Sequence, residues 1–362
     1  MRLSRGLLQP DVRKPAVSVL VPIYNEGDSI NLFLESVFRQ AYRGIFEVLL
    51  IDGMSEDGTR DKIKVFVSQN SGPLSCKDNI QVKVVDNPRK IVPCGLNSGI
   101  MKARGGYVIR MDAHTEYDSN YITGCVKWLD ENKAENVGGP TESVPGANTL
   151  IAKGIALASS SIFGVGNSKF RTSARPQYVD TVPFGAWSKR TFEKIGFFDE
   201  RLARGQDIEH NSRIRNAGGK IYLTPEIKSY YHCDSTLSEL WKKHFANGQW
   251  NIYTAAITSG ALSWRHFVPM GFVLAMIFSI LFSIAPLEHR YLPFALIAGS
   301  YFITSLLFSL MISFKKGFKC LPILPSIFAV MHFSYGLGSI WGLITLPGWL
   351  KENRFQGKGI KG

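Results

Sequence analysis

Four times in its first 112 residues this chain repeats one pattern: a short β-branched run, an abrupt polar cluster, then a stretch with helical periodicity. The runs are Val17–Val21, Phe46–Ile51, Ile80–Val85 and residues 107–112. Apolar runs this short and this continuous read as strands buried on both faces. After the first run, Ile30, Phe33, Leu34, Val37 and Phe38 recur at helical spacing, with Asp28 or Ser29 as the expected cap. Further helices are expected over about 59–68 and 93–103. Strand and helix in alternation specify an α/β fold, a doubly wound, mostly parallel sheet with helices on both faces.

In such sheets ligands bind beyond the carboxyl ends of the strands. The polar clusters fall there: Asn25 and Glu26, Asp52, Asp86 and Asn87, then Asp112 and His114. Residues two apart on an extended segment share a side, so Asp112 and His114 are expected to point together. One carboxylate oxygen and one imidazole nitrogen, with phosphate oxygens completing the shell, suit Mn²⁺ or Mg²⁺. The plainer alternative is a polar turn at a strand end. Neither G-x-G-x-x-G after the first strand nor G-x-x-x-x-G-K-[ST] occurs, which argues against dinucleotide and P-loop chemistry. Carboxylates in place of glycines point to hydrogen bonding with a base and ribose, and to a cation for the phosphates.

The next hundred residues are less regular. Residues 151–163 suit a helix, and a loop with Lys169, Arg171, Arg175 and Pro176 reads as mobile. Residues 178–187 read as a strand entering a turn, and Gln206, Asp207 and Glu209 precede or open a helix that ends near Gly218-Gly219. Short strands are expected at 220–223 and 230–232. Residues 237–250 are amphipathic and rich in Trp, Phe and Lys, as in a helix lying on a membrane surface.

Near residue 265 the composition changes. Residues 267–287 and 291–314 contain no Asp, Glu, Lys, Arg or His, and each reaches the ~20 residues needed to cross a bilayer as a helix. A third stretch, 320–350, is apolar but interrupted by Pro322, Pro325 and several glycines, so it reads as a span, a re-entrant pair or an interfacial helix. The loop 315–319 carries Lys315, Lys316 and Lys319, which places it and the N-terminal domain in the cytoplasm of a multi-pass inner-membrane protein. A full third crossing would put the basic tail, 351–362, outside, against the same rule.

The formal net charge is +13, which favours an anionic partner; the scatter of the basic residues makes nucleic acid the least favoured one. Cys76, Cys94, Cys125, Cys233 and Cys320 are far apart and form no C-x-x-C, consistent with a reducing compartment. No apolar h-region follows the charged N-terminus, so a signal peptide is not expected.

Taken together, the chain resembles glycosyltransferase family 2, with a GT-A fold, and within it the membrane-bound succinoglycan-biosynthesis type of bacterial sugar transferase. The matching stretches are residues 19–26, 51–59, 110–114, 197–200, 207–213 and 217–223, within a region of roughly 15–255. The domain plan this implies is a tail (1–14), a catalytic domain (15–235), an interface segment (236–265) and a membrane region (266–350) before the basic tail. The resemblance implies that Pro22, Asn25 and Glu26 line the nucleotide pocket, that Asp52 contacts the base and that Asp86 lies near the ribose or base. It places Asp112 and His114 at the family's D-x-D metal site, with His in the second position, and His232 where a late histidine meets metal or phosphate. A satisfied histidine at a strand end is the alternative for His232.

Asp207 matches the second member of the family's Glu-Asp pair, with Gln206 in the first. Inverting transfer needs one carboxylate to take the proton of an acceptor hydroxyl as it attacks the anomeric carbon. Asp207 is the expected base, Glu209 the fallback, and a helix N-cap the structural alternative. The family's processive Q-x-x-R-W motif is missing from 243–250, which favours single-sugar addition; Trp250 there is either an acceptor contact or an interfacial aromatic. The expected activity is transfer of a sugar from a nucleotide-sugar donor, UDP-linked, to a lipid-linked saccharide acceptor. Two rivals are a nucleotidyltransferase on a similar sheet and a non-catalytic nucleotide-sugar-binding membrane subunit.

Overall fold

The computed structural model describes residues 14–70, 79–131, 134–173 and 175–353. Residues 1–13 of the expected tail, Cys76, and the basic residues Arg354, Lys358 and Lys361 lie outside them. The described cysteines Cys94, Cys125, Cys233 and Cys320 are all buried and unpaired by disulfides.

Strands β1 (Val17–Ile23), β2 (Phe46–Asp52), β3 (Ile80–Asp86) and β4 (Tyr107–Arg110) are the four expected from the repeat. They form the parallel half of an eight-stranded mixed sheet, in the order β3-β2-β1-β4. The sheet continues through β9 (Ala186–Ser188), β6 (Asn136–Gly138), β10 (Ile221–Leu223) and β8 (Gln177–Tyr178), with β9 antiparallel to both neighbours. The single strand expected over 178–187 is therefore two, β8 and β9, joined by a loop in which Phe184 takes a positive φ.

Alternation explains why β1 and β2 are apolar at nearly every position. Val17, Val19, Val21 and Ile23 face one core layer with Phe46, Val48 and Leu50; Leu20, Leu49 and Ile51 face the other. Helices 30–38 and 121–130 cover the first layer through Phe33, Leu34, Val37 and Ile122. Helices 92–102, 189–195 and 206–216 cover the second through Leu96, Ile100, Phe192 and Ile214. Each such fully buried side chain contributes about 1.5–3 kcal/mol. Glu47 is buried within β2 although it is charged. It accepts from Ser18 Oγ at 2.7 Å, from the Arg104 backbone N–H at 2.7 Å and from Arg104 Nε at 3.0 Å. Burial alone would raise its pKa, but these donors together hold the carboxyl below the ordinary range.

A second, three-stranded sheet, β5 (Thr115–Tyr117), β11 (Ser229–His232) and β7 (Thr141–Val144), stands beside the main one in the order β5-β11-β7. Its strands are too short for a periodic signal, and only the end of β11 was expected.

The chain then enters a helix from Leu237 to Ile257, closed at its start by a reciprocal cap between Thr236 and Glu239. Three helices long and apolar enough to cross a membrane follow: Trp264–Phe282, Leu292–Lys316 and Leu324–Asn353. The third is one continuous helix. Pro325 falls in its first turn, where a missing N–H costs nothing. Gly338 and Gly342 meet helix 237–257 instead of breaking the chain: a methyl group on Gly338 would strike the Phe245 carbonyl, and one on Gly248 of the facing helix the Tyr335 carbonyl. Gly338 and Gly342 form the small-x-x-x-small stripe that lets backbones approach closely. The contacts 245–338, 249–342 and 253–345 show the two helices running parallel. In its apolar window 44% is buried within the protein, against 11% for each of the other two. Helix 237–257, expected on a membrane surface, is thus packed along its length by helix 324–353.

Candidate active site

β4 stops at Arg110, two residues before the carboxylate expected to close it. Asp112 and His114 consequently meet through a turn, and not by alternation along a strand. The His114 N–H donates to Asp112 Oδ1 at 3.2 Å, and His114 Nδ1 lies 2.8 Å from the same oxygen. On its other side, His114 Nε2 lies 3.3 Å from Glu26 Oε1. The hydrogen bond to Asp112, with the charges of Asp112 and Glu26, raises the imidazole to about 8 against the opposing effect of burial. Burial pushes Asp112 up, but the His114 bond and the charges of His114 and Arg110 outweigh it, leaving the carboxyl low. Glu26 is raised by burial, which His114 only partly offsets.

The loop carrying Glu26 is fixed from the next loop. Asn25, at φ +53°, donates its N–H to Ser55 Oγ at 2.9 Å and accepts from the Glu56 N–H at 2.9 Å. Glu26 and Gly27 donate to Thr59 Oγ1 at 2.9 Å and Asp57 Oδ2 at 2.8 Å. Ser29 takes the cap position of helix 30–38 without a side-chain cap bond, because its hydroxyl donates to Glu26 Oε2 at 2.7 Å. Pro22 lies in β1 opposite Ile51. Asp52, at the end of β2, is turned fully inward. It accepts from the Ser55 N–H at 3.2 Å and from Arg60, whose Nη2 reaches Asp86 at 2.6 Å. Asp52 and Asp86 are therefore joined through Arg60, a residue with no role in the sequence reading. An arginine in the first turn of the helix after an acidic loop was the available signal.

Asp207 comes from the far half of the chain. Gly205, at φ +82°, caps helix 206–216, so Asp207 is free of the capping role. It forms an ion pair with Arg110, whose side chain is 8% exposed. Arg110 engages Oδ2; Asp207 Oδ1 is buried and, among the described residues, has no hydrogen-bond partner. Glu209 is tied to Arg213 at 2.7 Å and to Thr258 Oγ1 at 2.9 Å, and does not line the cavity described next.

One cavity of about 1690 Å³ is lined by Arg110, Asp112, His114, Gln206, Asp207 and His232. The same cavity runs on past Tyr231, Lys243 and Trp250 to Phe272, Tyr301 and Phe308 on the apolar helices. Asp112 and Asp207 thus share one cleft. His232 sits beside His114, its N–H on the His114 carbonyl at 3.4 Å, but its ring pairs with Glu116 at 2.7 Å. Trp250 packs with Tyr253 and Trp349 where helices 237–257 and 324–353 meet. Asn25, Asp52 and Asp86 do not line this cavity; they form a separate polar end beyond β1 to β3.

Residues 18–196 match the sequence model of glycosyl transferase family 2. This segment is a family 2 glycosyltransferase domain. The chain is 26% identical over 233 residues, 64% of its length and 67% of the relative's, to the succinoglycan biosynthesis protein ExoA of Rhizobium meliloti. It is 28% identical over 241 residues, 64% and 71%, to a dolichyl N-acetyl-α-D-glucosaminyl phosphate 3-β-D-2,3-diacetamido-2,3-dideoxy-β-D-glucuronosyltransferase of Methanococcus voltae. Among solved structures it resembles a mannosyltransferase of Pyrobaculum calidifontis, solved with GDP-Man and Mn²⁺, with a TM-score of 0.56, 15% identity and 92% and 88% of the two chains covered. The shared fold is GT-A, and the homologues work in polysaccharide and lipid-linked glycan assembly.

The donors of this glycosyltransferase domain suit a divalent ion. Asp112 Oδ1 and His114 Nδ1 stand 2.8 Å apart, a separation open to two ligands each about 2.1 Å from one ion. Among the described residues no group of three or more His, Cys, Asp or Glu side chains is arranged to hold a metal. Phosphate oxygens would therefore have to supply most of the shell, and a bound ion would replace the proton that now links the pair.

Proposed function

We propose that this protein is a membrane-anchored inverting glycosyltransferase that moves one sugar from a nucleotide-sugar donor, UDP-linked, to a lipid-linked saccharide acceptor. The observation that carries the reading is the single cavity that holds Asp112 and Asp207 at one end and reaches the apolar helices at the other. Asp207 is the base. Arg110 holds its Oδ2, and the unpartnered Oδ1 takes the proton of the acceptor hydroxyl. That oxygen then forms the new bond to the anomeric carbon while the bond from carbon to the donor phosphate breaks, releasing the nucleoside diphosphate. Asp112 and His114 would hold Mn²⁺ or Mg²⁺, which when bound neutralises charge on the diphosphate. Asn25, Asp52, Asp86 and Arg60 shape the nucleotide end.

Cytoplasmic placement has support beyond charge. The basic segment around Lys315 and Lys316 leads into Cys320, whose Sγ lies 4.0 Å from the Leu150 carbonyl of the catalytic domain. The end of helix 292–316 that the positive-inside rule assigns to the cytoplasm is thus on the catalytic domain's side. A nucleotidyltransferase would want a glycine-rich phosphate loop after β1, where this chain has a clasped Asn25-Glu26 turn.

The test is to incubate membranes containing the protein and native lipids with a panel of nucleotide sugars, with and without Mn²⁺. Metal-dependent release of nucleoside diphosphate with sugar appearing in lipid, lost in Asp207→Asn, is the expected result. Pyrophosphate release, or binding without turnover in the parent, would reject it.

A further inference from the structure

Besides its carboxylates and its apolar wall, the cavity is lined by one tyrosine that two cations share. Lys243 Nζ lies 4.6 Å from the centre of the Tyr231 ring and donates to its hydroxyl at 2.7 Å. The Arg171 guanidinium lies 5.6 Å from the same ring centre and donates to Ser143 Oγ at 2.8 Å. All three side chains line the cavity and are partly buried. We propose that Arg171 and Lys243, held about Tyr231, bind the phosphate group that joins the acceptor's sugar to its lipid.

Placement sets Arg171 apart from the proposed diphosphate site, since its anchor stands two strands from β5, the strand that follows His114. The nucleotide end lies beyond β1, β2 and β3, and Asp112 follows β4. The small sheet then leads away in the order β5-β11-β7. Tyr231 is on β11 and Ser143, the anchor of Arg171, on β7, the strand farthest from β5. Lys243 stands close enough to His114 for their charges to interact, so it is the member nearer the reacting centre.

Charge balance also leaves room for an anion. Lys243 has Asp234 at 3.1 Å, but among the described residues Arg171 has no carboxylate partner and only hydroxyl and ring contacts. A guanidinium held over aromatic rings keeps its donor edge free for a phosphate.

What lies next along the cavity fits a long apolar chain. Phe163, from the catalytic domain, stacks on Phe308 with ring centres 5.0 Å apart, and its carbonyl meets His332 Nε2 at 2.8 Å. Phe272 and Tyr301, stacked at 4.5 Å, continue the apolar wall. A headgroup on Arg171 would send its chain between these helices and its sugar towards Asp207.

This inference deepens the transferase reading and rests on its lipid acceptor. The test measures binding to the full chain in detergent, using farnesyl diphosphate, farnesol, inorganic pyrophosphate and UDP as probes. Expected is farnesyl diphosphate binding at least about tenfold tighter than farnesol or pyrophosphate, weakened about tenfold by Arg171→Gln and partly restored by Arg171→Lys. UDP and farnesol binding should not move in either variant, which also shows that both are folded. Equal binding of farnesyl diphosphate to parent and Arg171→Gln overturns the site, as does a parallel loss of UDP binding, which would make it a donor subsite. Pyrophosphate binding as tightly as the lipid would mean a free anion, and overturns it too. If those results stand beside intact sugar transfer, only this inference falls; if neither UDP nor lipid binds the parent, the transferase reading falls with it.

Discussion

Arg110 and Asp207, ninety-seven residues apart, form an ion pair that joins the end of β4 to the first turn of helix 206–216. It holds one oxygen of the proposed base and leaves the other buried without a hydrogen-bond partner among the described residues. Replacing Asp207 by Asn keeps the shape and the Arg110 contact but removes the proton acceptor. Sugar transfer should fall by about two to four orders of magnitude, the range usual for a lost general base. Nucleoside-diphosphate affinity, read by titration, should stay within about twofold.

Arg110→Met would leave Asp207 in a largely buried site without its counter-charge. A loss of roughly 3 kcal/mol in unfolding free energy is expected, as for a broken buried pair. Combined with Asp207→Asn the two losses should not add, because the stranded charge is then gone. A denaturation series in detergent on the four proteins checks this; additive losses would mean the residues act independently.

At the proposed nucleotide end, Arg60 bridges Asp52, fully buried, and Asp86, largely exposed. Arg60→Ala should lower both stability and affinity for nucleoside diphosphate, with a stability loss of about 2 kcal/mol from the unpaired Asp52. Asp86→Asn, at the exposed side, should cost under about 1 kcal/mol. Calorimetric titration with nucleoside diphosphate separates the two sites.

His210 gives a pH signature. It is fully buried beside Trp187, Phe192 and Phe198, its Nε2 on the Gly196 carbonyl at 3.1 Å. Burial, reinforced by Arg213, lowers its pKa from 6.5 to about 3. The folded value lies below the unfolded one, so as pH falls the unfolded chain takes up the proton first. Stability is complete above about pH 6.5 and is lost towards pH 3, by at most about 1.4 kcal/mol per pH unit. His210→Phe should therefore show a shallower fall in Tm between pH 7 and pH 5 than the parent.

The helix pair 237–257 and 324–353 depends on glycine. Gly248→Val would drive a branched side chain into the Tyr335 carbonyl and Ser339, for an expected loss of about 1–3 kcal/mol. Gly271→Ala, where an added Cβ meets nothing within 4 Å, should be neutral, and thermal unfolding compares the two.

How far the sequence could be read depended on the range of the interactions involved. β1, β2 and β4 were legible because both of their faces are buried; β3, an edge strand with Lys83 and Val84 exposed, was legible from its β-branched run alone, and the polar clusters after all four marked the proposed ligand edge. Arg110 was hidden inside that success: a charge within a strand looks like an exception until its partner, ninety-seven residues on, is known. Asp112 and His114 were paired correctly, but through a turn that the strand reading did not foresee. The strands of the small sheet have three or four residues each, so alternation had too little length to register. Gly338 and Gly342 read as interruptions because sequence shows what a glycine lacks and not which backbone comes close enough to need the space.

The parallel pairing of helices 237–257 and 324–353 sets an order of events at the ribosome. Met331, His332 and Tyr335 complete the wall of the chamber, and of the residues that line it they are the last to be synthesised. A nascent chain halted near residue 320 would already carry every carboxylate proposed for the chemistry, in a vessel open along one side. Turnover should therefore begin only once helix 324–353 has been made and packed, and this timing would spare the donor from being spent on water by half-made enzyme.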